Sequence, residues 1–481
     1  MQLINRDESS DKIKWDYYAY INKKRIGHRG TVRCYVGILT WLYERDSYEF
    51  DPSIKHQLAF RHAVNELTCH KSSIDFERDF KRVLKIWREE GSPNPRQPCQ
   101  TALVKPPVQT IKKWKRNGHS FISLFSGAFG LDLGFMGAGF NPLLALDINR
   151  HSKDTIERNK LNIPFINDDI KKIPTKKMLE IAGVGVGELD VVTGGPPCQP
   201  FATAGKRRGL SDPRASPLKE FIRFIKDARP KYFVMEEIEG LLNARLKHVP
   251  IADRGKRYLA PNEQTGSLFV EVCRMLRRTG YNLTPATPLN AADFGAPQSR
   301  KRLIIIGSRD SKPSLPIKTH SNHPDPTGHA ILKPWTTFWE ATCDLQGREM
   351  QGASLSSRSA EYLKFVPPGG NWIHLPKDII KDAMGGAYES GGGKMGYFRR
   401  LTWDSPTPTV TTAPAQKSTM LCHPDELRLM SVDEYKRVQG FPDDWDLPES
   451  NSIKYELIGN AVPVYLSYAV AKVVLDLISD N

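Results

Sequence analysis

The stretch SFISLFSGAFGLDLGF, residues 120–135, decides how this 481-residue chain is organised. It begins as a short apolar run of strand character, turns on Gly127 and Gly130, and continues with apolar residues at helical spacing. Glycines in such a turn let a ligand approach the backbone near the positive end of the following helix. The same pattern also serves as an ordinary strand-to-helix connection. Outward from it the texture repeats. Apolar runs PLLALD (142–147), LDVVTGG (189–195), YFVMEE (232–237) and RLIIIGS (302–308) alternate with helical segments such as SKDTIERNKL (152–161), PLKEFIRFIKDA (217–228) and SLFVEVCRMLRRTG (267–280). This alternation predicts an α/β fold, a Rossmann-like parallel sheet with crossover helices whose ligands bind at the carboxyl ends of the strands. GVGVG (183–187) precedes a strand and reads as a plain loop.

The flanks differ. In FERDFKRVLKIW, residues Phe76, Phe80, Val83, Leu84 and Trp87 form one helical stripe opposite basic residues, so residues 1–90 read as a small basic helical domain. Five prolines within residues 91–109 make 91–116 an extended linker. The large α/β domain then spans 117–314. Residues 315–454, rich in Pro, Gly and Ser, read as a smaller irregular domain with Trp335, Trp339 and Trp372 in its core, and 455–481 as a helical segment that returns to complete the large domain.

Lys and Arg exceed Asp and Glu by 69 to 54, a net charge of +15, and residues 1–118 hold 23 basic against 14 acidic side chains. That balance suits a polyanionic partner such as nucleic acid. The seven cysteines are scattered and include no C-x-x-C pair, which argues against a disulfide framework or zinc knuckle and for a reducing compartment. His62, Cys69 and His70 match no standard metal set, and no metal is expected. The polar start, with no unbroken apolar run of membrane-spanning length, predicts a cytoplasmic protein.

Three strand ends carry candidate chemistry. Asp147, about twenty residues past the glycine turn, is placed to accept ribose hydroxyls, and Asp169 to accept from an adenine amino group. Cys198, in GGPPCQPFATAG (194–205), follows a strand, and Pro196 and Pro197 fix two φ angles just before it. A complete G-x-G-x-x-G is missing, and a nicotinamide dehydrogenase has no use for a thiol on that turn.

Together these residues resemble the cytosine-5 DNA methyltransferase family, of the bacterial restriction-modification type. PPCQPF resembles its nucleophile motif, LFSGAFGLDLGF its methyl-donor loop, FVMEEIEGLL its glutamate motif and NAADFGAPQSRKRLIIIG its paired-arginine motif. RRLTWDSPTPTVTT and GNAVP match the last two, all in family order from about Phe121 onward. The resemblance implies S-adenosylmethionine as methyl donor, held by Phe125, Gly127, Gly130, Asp147, Asp169, Ile170, Pro196, Leu218, Asn460 and Ala461. It implies that the Cys198 thiolate adds to C6 of a flipped cytosine, with Glu236 at the N3 edge of the ring and Arg300 and Arg302 as fixed positive charge. Gln199, Lys206, Arg207, Arg208 and Gln298 are implied DNA contacts, and residues 315–396 read the target site. Duplex DNA is then the partner of a monomeric enzyme, with a cognate endonuclease acting on the same site. An RNA-directed enzyme of the same fold and an inactive DNA-binding relative are the alternatives. Phe129 stands where the family usually has glycine, Asp147 where it has glutamate, and Glu237 where it has asparagine.

Overall fold

The structure is a computed structural model, and it describes residues 102–110, 116–197, 216–250, 256, 258–322, 332–390 and 394–479. The expected helical domain at 1–90, with His62, Cys69 and His70, lies outside the described residues, as do Cys198, Gln199, Lys206, Arg207 and Arg208.

The opening stretch forms strand β1 (Ser120–Leu124) and helix α1 (Gly130–Gly137). Then come β2 (Asn141–Leu146), α2 (Arg150–Arg158), β3 (Phe165–Ile166), α3 (Thr175–Ala182), β4 (Val191–Gly194), α4 (Ser216–Ala228) and β5 (Tyr232–Ile238). Helix α5 (Ser267–Arg277) leads to β6 (Asn282–Leu283), β7 (Pro288–Asn290), β8 (Gln298–Ser299) and β9 (Lys301–Ser308). The sheet order is β3-β2-β1-β4-β5-β9-β6, with β7 also on β9. Strands β1 to β5 pair in parallel, so the turns after β1, β2, β3 and β4 gather at one edge. GVGVG is a loop, as read.

One expectation fails. Strand β9, which holds RLIIIGS, runs antiparallel to β5, with Ile238 opposite Arg302 and Tyr232 opposite Ser308. The chain crosses from β5 through α5 to the short β6, and β6 and β7 are both antiparallel to β9, so it reverses after β6. The consequence is chemical: the beginning of β9, rather than its end, reaches the carboxyl edge of the sheet.

Apolar side chains cover both sheet faces. On one, Ile122, Leu144, Val192, Phe233 and Ile305 pack under Phe221, Ile225 and Leu276; on the other, Phe121, Val191, Val234 and Ile306 meet Phe135 and Leu466. Past the sheet follow β10 (His320–Ser321), β11 (Lys333–Pro334), α6 (Phe338–Thr342), α7 (Ser357–Leu363), α8 (Ile380–Met384), β12 (Thr407–Pro408), α9 (Val432–Gln439), α10 (Asn451–Asn460) and α11 (Val464–Ser479). Tyr362, Leu363, Leu375, Met384, Phe398, Met420 and Leu429 form a core of their own. Trp339, Trp403, Tyr435, Trp445 and Ile458 instead share a core with Phe129 and Leu133 of the donor-loop region, so the smaller domain is fused to the large one along α9. Of the three tryptophans expected inside, Trp339 is buried, while Trp335 and Trp372 are only partly so.

Asn451–Ser479 is long and apolar enough, by length and composition, to cross a membrane. It breaks between α10 and α11 before Pro463, and α11 packs on α1, where Gly134 leaves room for Ser467. Cys273 and Cys422 are free and buried, but Cys343 is disulfide-bonded, where a reducing compartment was expected from the scattered cysteines.

Candidate active site

At the end of β1 the backbone turns through Phe125, Gly127 and Phe129 with φ of 59°, 52° and 71°. Nothing stands within 4 Å of where a Gly127 side chain would begin, so the loop faces open space. The Asp147 carboxylate at the end of β2 braces it: Oδ2 accepts from the Gly127 amide and Oδ1 from the Asn149 amide, both at 2.8 Å. Burial raises the Asp147 pKa and these amides oppose the rise. Beside it Ile148 is 71% exposed at the rim. Phe129 takes the left-handed conformation without glycine's freedom, a cost of about 1–2 kcal/mol. Its ring is fully buried and lies 6.3 Å from that of Trp445, which offsets the strain.

Gly130 admits the end of the chain. A Cβ there would meet the Val462 carbonyl at 2.3 Å and Ala461 Cβ at 2.9 Å, so only glycine lets this segment press against the start of α1. Asn460, exposed at the end of α10, thereby comes to the donor-loop side. Asp169 caps a short 3-10 turn by accepting from the Lys171 amide. Ile170 and Leu218 are buried with the sheet-core cluster. Pro196 is buried one residue before the exposed Pro197.

At the end of β5, Glu236 Oε1 lies 2.6 Å from Arg302 Nε, each side chain 14% exposed. Its Oε2 is 2.8 Å from where a Gly195 Cβ would stand, so this carboxylate lies against the backbone three residues before Cys198. Antiparallel pairing of β9 is what brings Arg302 here. Glu237 points the other way and is buried, as alternation along a strand requires.

Two paired-arginine-motif residues are held inside the protein. Arg300 is 2% exposed, and its guanidinium donates to the Val410 and Gly459 carbonyls at 2.9 and 2.7 Å. It is a strut between β9, the segment after β12 and the end of α10; burial and then Arg302 lower the pKa of its guanidinium, and Glu236 opposes them. Gln298 is fully buried; its amide donates to Gln439 Oε1 and its oxygen accepts from the Val410 amide, so both ends are committed inside rather than offered to DNA.

Sequence reasoning missed Asp132. It is completely buried on α1, and neither oxygen accepts a hydrogen bond of normal geometry. Burial pushes its carboxyl up to about 7; the Ser123 hydroxyl opposes this and Asp147 adds to it. The hydroxyl of Thr193, paired with Ser123 in the sheet, is also buried without a partner. The signal was a lone acid within the apolar LDLGF.

Family comparison decides the class. The C-5 cytosine-specific DNA methylase family matches residues 119–476. The chain belongs to that family. This C-5 cytosine-specific DNA methylase is 35% identical over 368 residues to the type II methyltransferase M.Eco47II of Escherichia coli, covering 76% of this chain and 81% of that one. It is 35% identical over 381 residues to M.PspPI of Psychrobacter sp., covering 79% and 82%, and 32% identical over 359 to M.Sau96I of Staphylococcus aureus, covering 74% and 76%. A solved E. coli prophage protein assigned as a DNA modification methyltransferase superposes with a TM-score of 0.51 at 21% identity, over 75% of this chain and 100% of that one, which shows the shared fold. Membership makes DNA the substrate and S-adenosylmethionine the methyl donor. The residues fit a nucleoside-bearing donor: an open glycine loop and, braced against it at the end of the next strand, the Asp147 carboxylate. Among the described residues, no group of His, Cys, Asp or Glu is arranged to hold a metal ion.

Proposed function

We propose that this methylase modifies one cytosine within a specific duplex sequence, with Cys198 as nucleophile. S-adenosylmethionine, when bound, supplies an electrophilic methyl group. The Gly127 and Gly130 loop, Asp147, Asp169 and Asn460 would hold it. The Cys198 thiolate adds to C6 of a cytosine turned out of the stack, and the electron pair this frees makes C5 nucleophilic. Glu236 holds N3 and shares a proton there as charge builds, while Arg302 orients the carboxylate. Once C5 carries the methyl group, loss of the C5 proton expels the thiolate and restores the ring.

The observation that carries the reading is the Glu236–Arg302 pair lying against Gly195, at the mouth of the turn that leads into Cys198. Lys206, Arg207, Arg208 and Gln199 follow that cysteine and supply phosphate and base contacts. The relatives' type II names support a restriction-modification role with an endonuclease as functional partner.

Bisulfite sequencing of DNA from cells expressing the full chain tests this. One recurrent protected cytosine context is expected with the wild type and none with Cys198→Ala, which still binds DNA. Turnover by that variant removes Cys198 from the mechanism, and a wild type that protects no cytosine overturns the reading.

A further inference from the structure

Between β8 and the smaller domain lies a cleft of about 540 Å³ whose walls include Ser299, Trp335, Arg399, Pro406 and Thr409. Its floor is built. β8 pairs with β12, Pro408 opposite Ser299, and the Thr409 hydroxyl donates to the Ser299 carbonyl at 3.0 Å. Three residues beyond Ser299 the same stretch of chain presents Arg302 to Glu236, so the cleft adjoins the catalytic carboxylate's strand.

The arginines around this cleft differ in their partners: Arg300 and Arg400 each donate to two or more backbone carbonyls from separate segments. Arg302, Arg428 and Arg437 each face a carboxylate within 3.2 Å. Partly buried Arg399 makes no ion pair among the described residues; its Nε and one terminal nitrogen donate to the Met395 carbonyl at 3.3 and 3.1 Å. Desolvation lowers its pKa, and no acid opposes this. A guanidinium that loses hydration without a carboxylate, and whose plane is pinned by a carbonyl, is prepared for an acceptor pair that arrives from outside. This fork lines an open cleft beside Trp335 and the Pro406–Pro408 turn, where its paired donors match the side-by-side acceptors of a base edge as a point charge would not.

Resting on the proposed DNA reaction, we infer that Arg399 is a specificity-determining residue whose free guanidinium edge takes two acceptors on one base of the target duplex. Guanine, with O6 and N7 side by side, is the base that fits.

The test compares wild-type chain with Arg399→Met and Arg399→Lys, using bisulfite profiles on mixed unmethylated DNA and binding to a duplex carrying the wild-type site. Both variants are expected to accept other bases at one position of the site and to bind that duplex about tenfold more weakly. Their affinity for unrelated duplexes, and its salt slope, stay as in the wild type. Lysine keeps the stem and charge, so it carries the test should the methionine variant fail to fold. An unchanged profile overturns the inference, whether binding is unaltered or falls equally on every duplex with a shallower salt slope, as loss of a phosphate contact would produce. A wild type that methylates nothing overturns the activity itself, a distinct result.

Discussion

Asp132 shows what one buried side chain imposes on this enzyme. Its carboxyl titrates near pH 7 in the folded chain against 3.8 for the ordinary group. Between those values the folded state holds a proton that the unfolded state has released, so stability falls as pH rises, by up to about 1.4 kcal/mol per pH unit from this group. Above pH 7 the cost is complete. Asp132→Asn removes it: the variant's melting temperature relative to wild type is expected to climb from pH 4 to 7 and then level off. Parallel melting curves at pH 5 and pH 8 would contradict the assignment.

At the scale of elements, Arg300 ties three of them together. It holds the Val410 carbonyl in the segment after β12 and the Gly459 carbonyl at the end of α10 from its own place beside β9. Arg300→Met fills a similar volume but leaves two buried carbonyls without donors, a loss of about 3 kcal/mol. Thermal melting is expected to show that loss. Donor binding, measured by calorimetry, is expected to weaken as Asn460 loses its anchorage. A variant as stable as wild type, with full donor affinity, would make Arg300 dispensable as a strut. The same element-scale logic explains why Arg302 meets Glu236: an antiparallel β9 delivers its first residues to the edge where β5 delivers its last.

For the whole molecule, the segment before the sheet acts as a strap. The Leu103 and Val104 amides donate to the Glu340 carbonyl, Val108 is buried against Gly137, and the Thr110 hydroxyl donates to Asp444 at 2.7 Å. Two hydrogen bonds to one carbonyl, one apolar side chain and a charge-assisted contact together contribute about 2–4 kcal/mol. A chain beginning at residue 102 is therefore expected to melt several degrees above one beginning at 111. Equal melting temperatures would show that the strap adds nothing. The linker read from proline content was thus half understood: prolines do exclude helix, yet residues 102–110 also dock, which composition does not record.

The order of strands and helices from residue 120 to 280, the glycine loop, and the motifs around Asp147, Cys198 and Glu236 were determined by the sequence alone, because periodicity and turn chemistry are local. The family followed from motif order. Tertiary structure alone decided the direction of β9, since apolar runs look alike in parallel and antiparallel strands. It likewise separated Arg302, which meets Glu236, from Arg300, which braces backbone, and took Gln298 into the interior. It left the Asp132 carboxylate buried without a hydrogen bond of normal geometry, and Arg399 on a single backbone carbonyl with no carboxylate among the described residues. Those outcomes depend on which distant segments each side chain meets: burial and partnership are properties of the packed molecule, and no single stretch of sequence carries them.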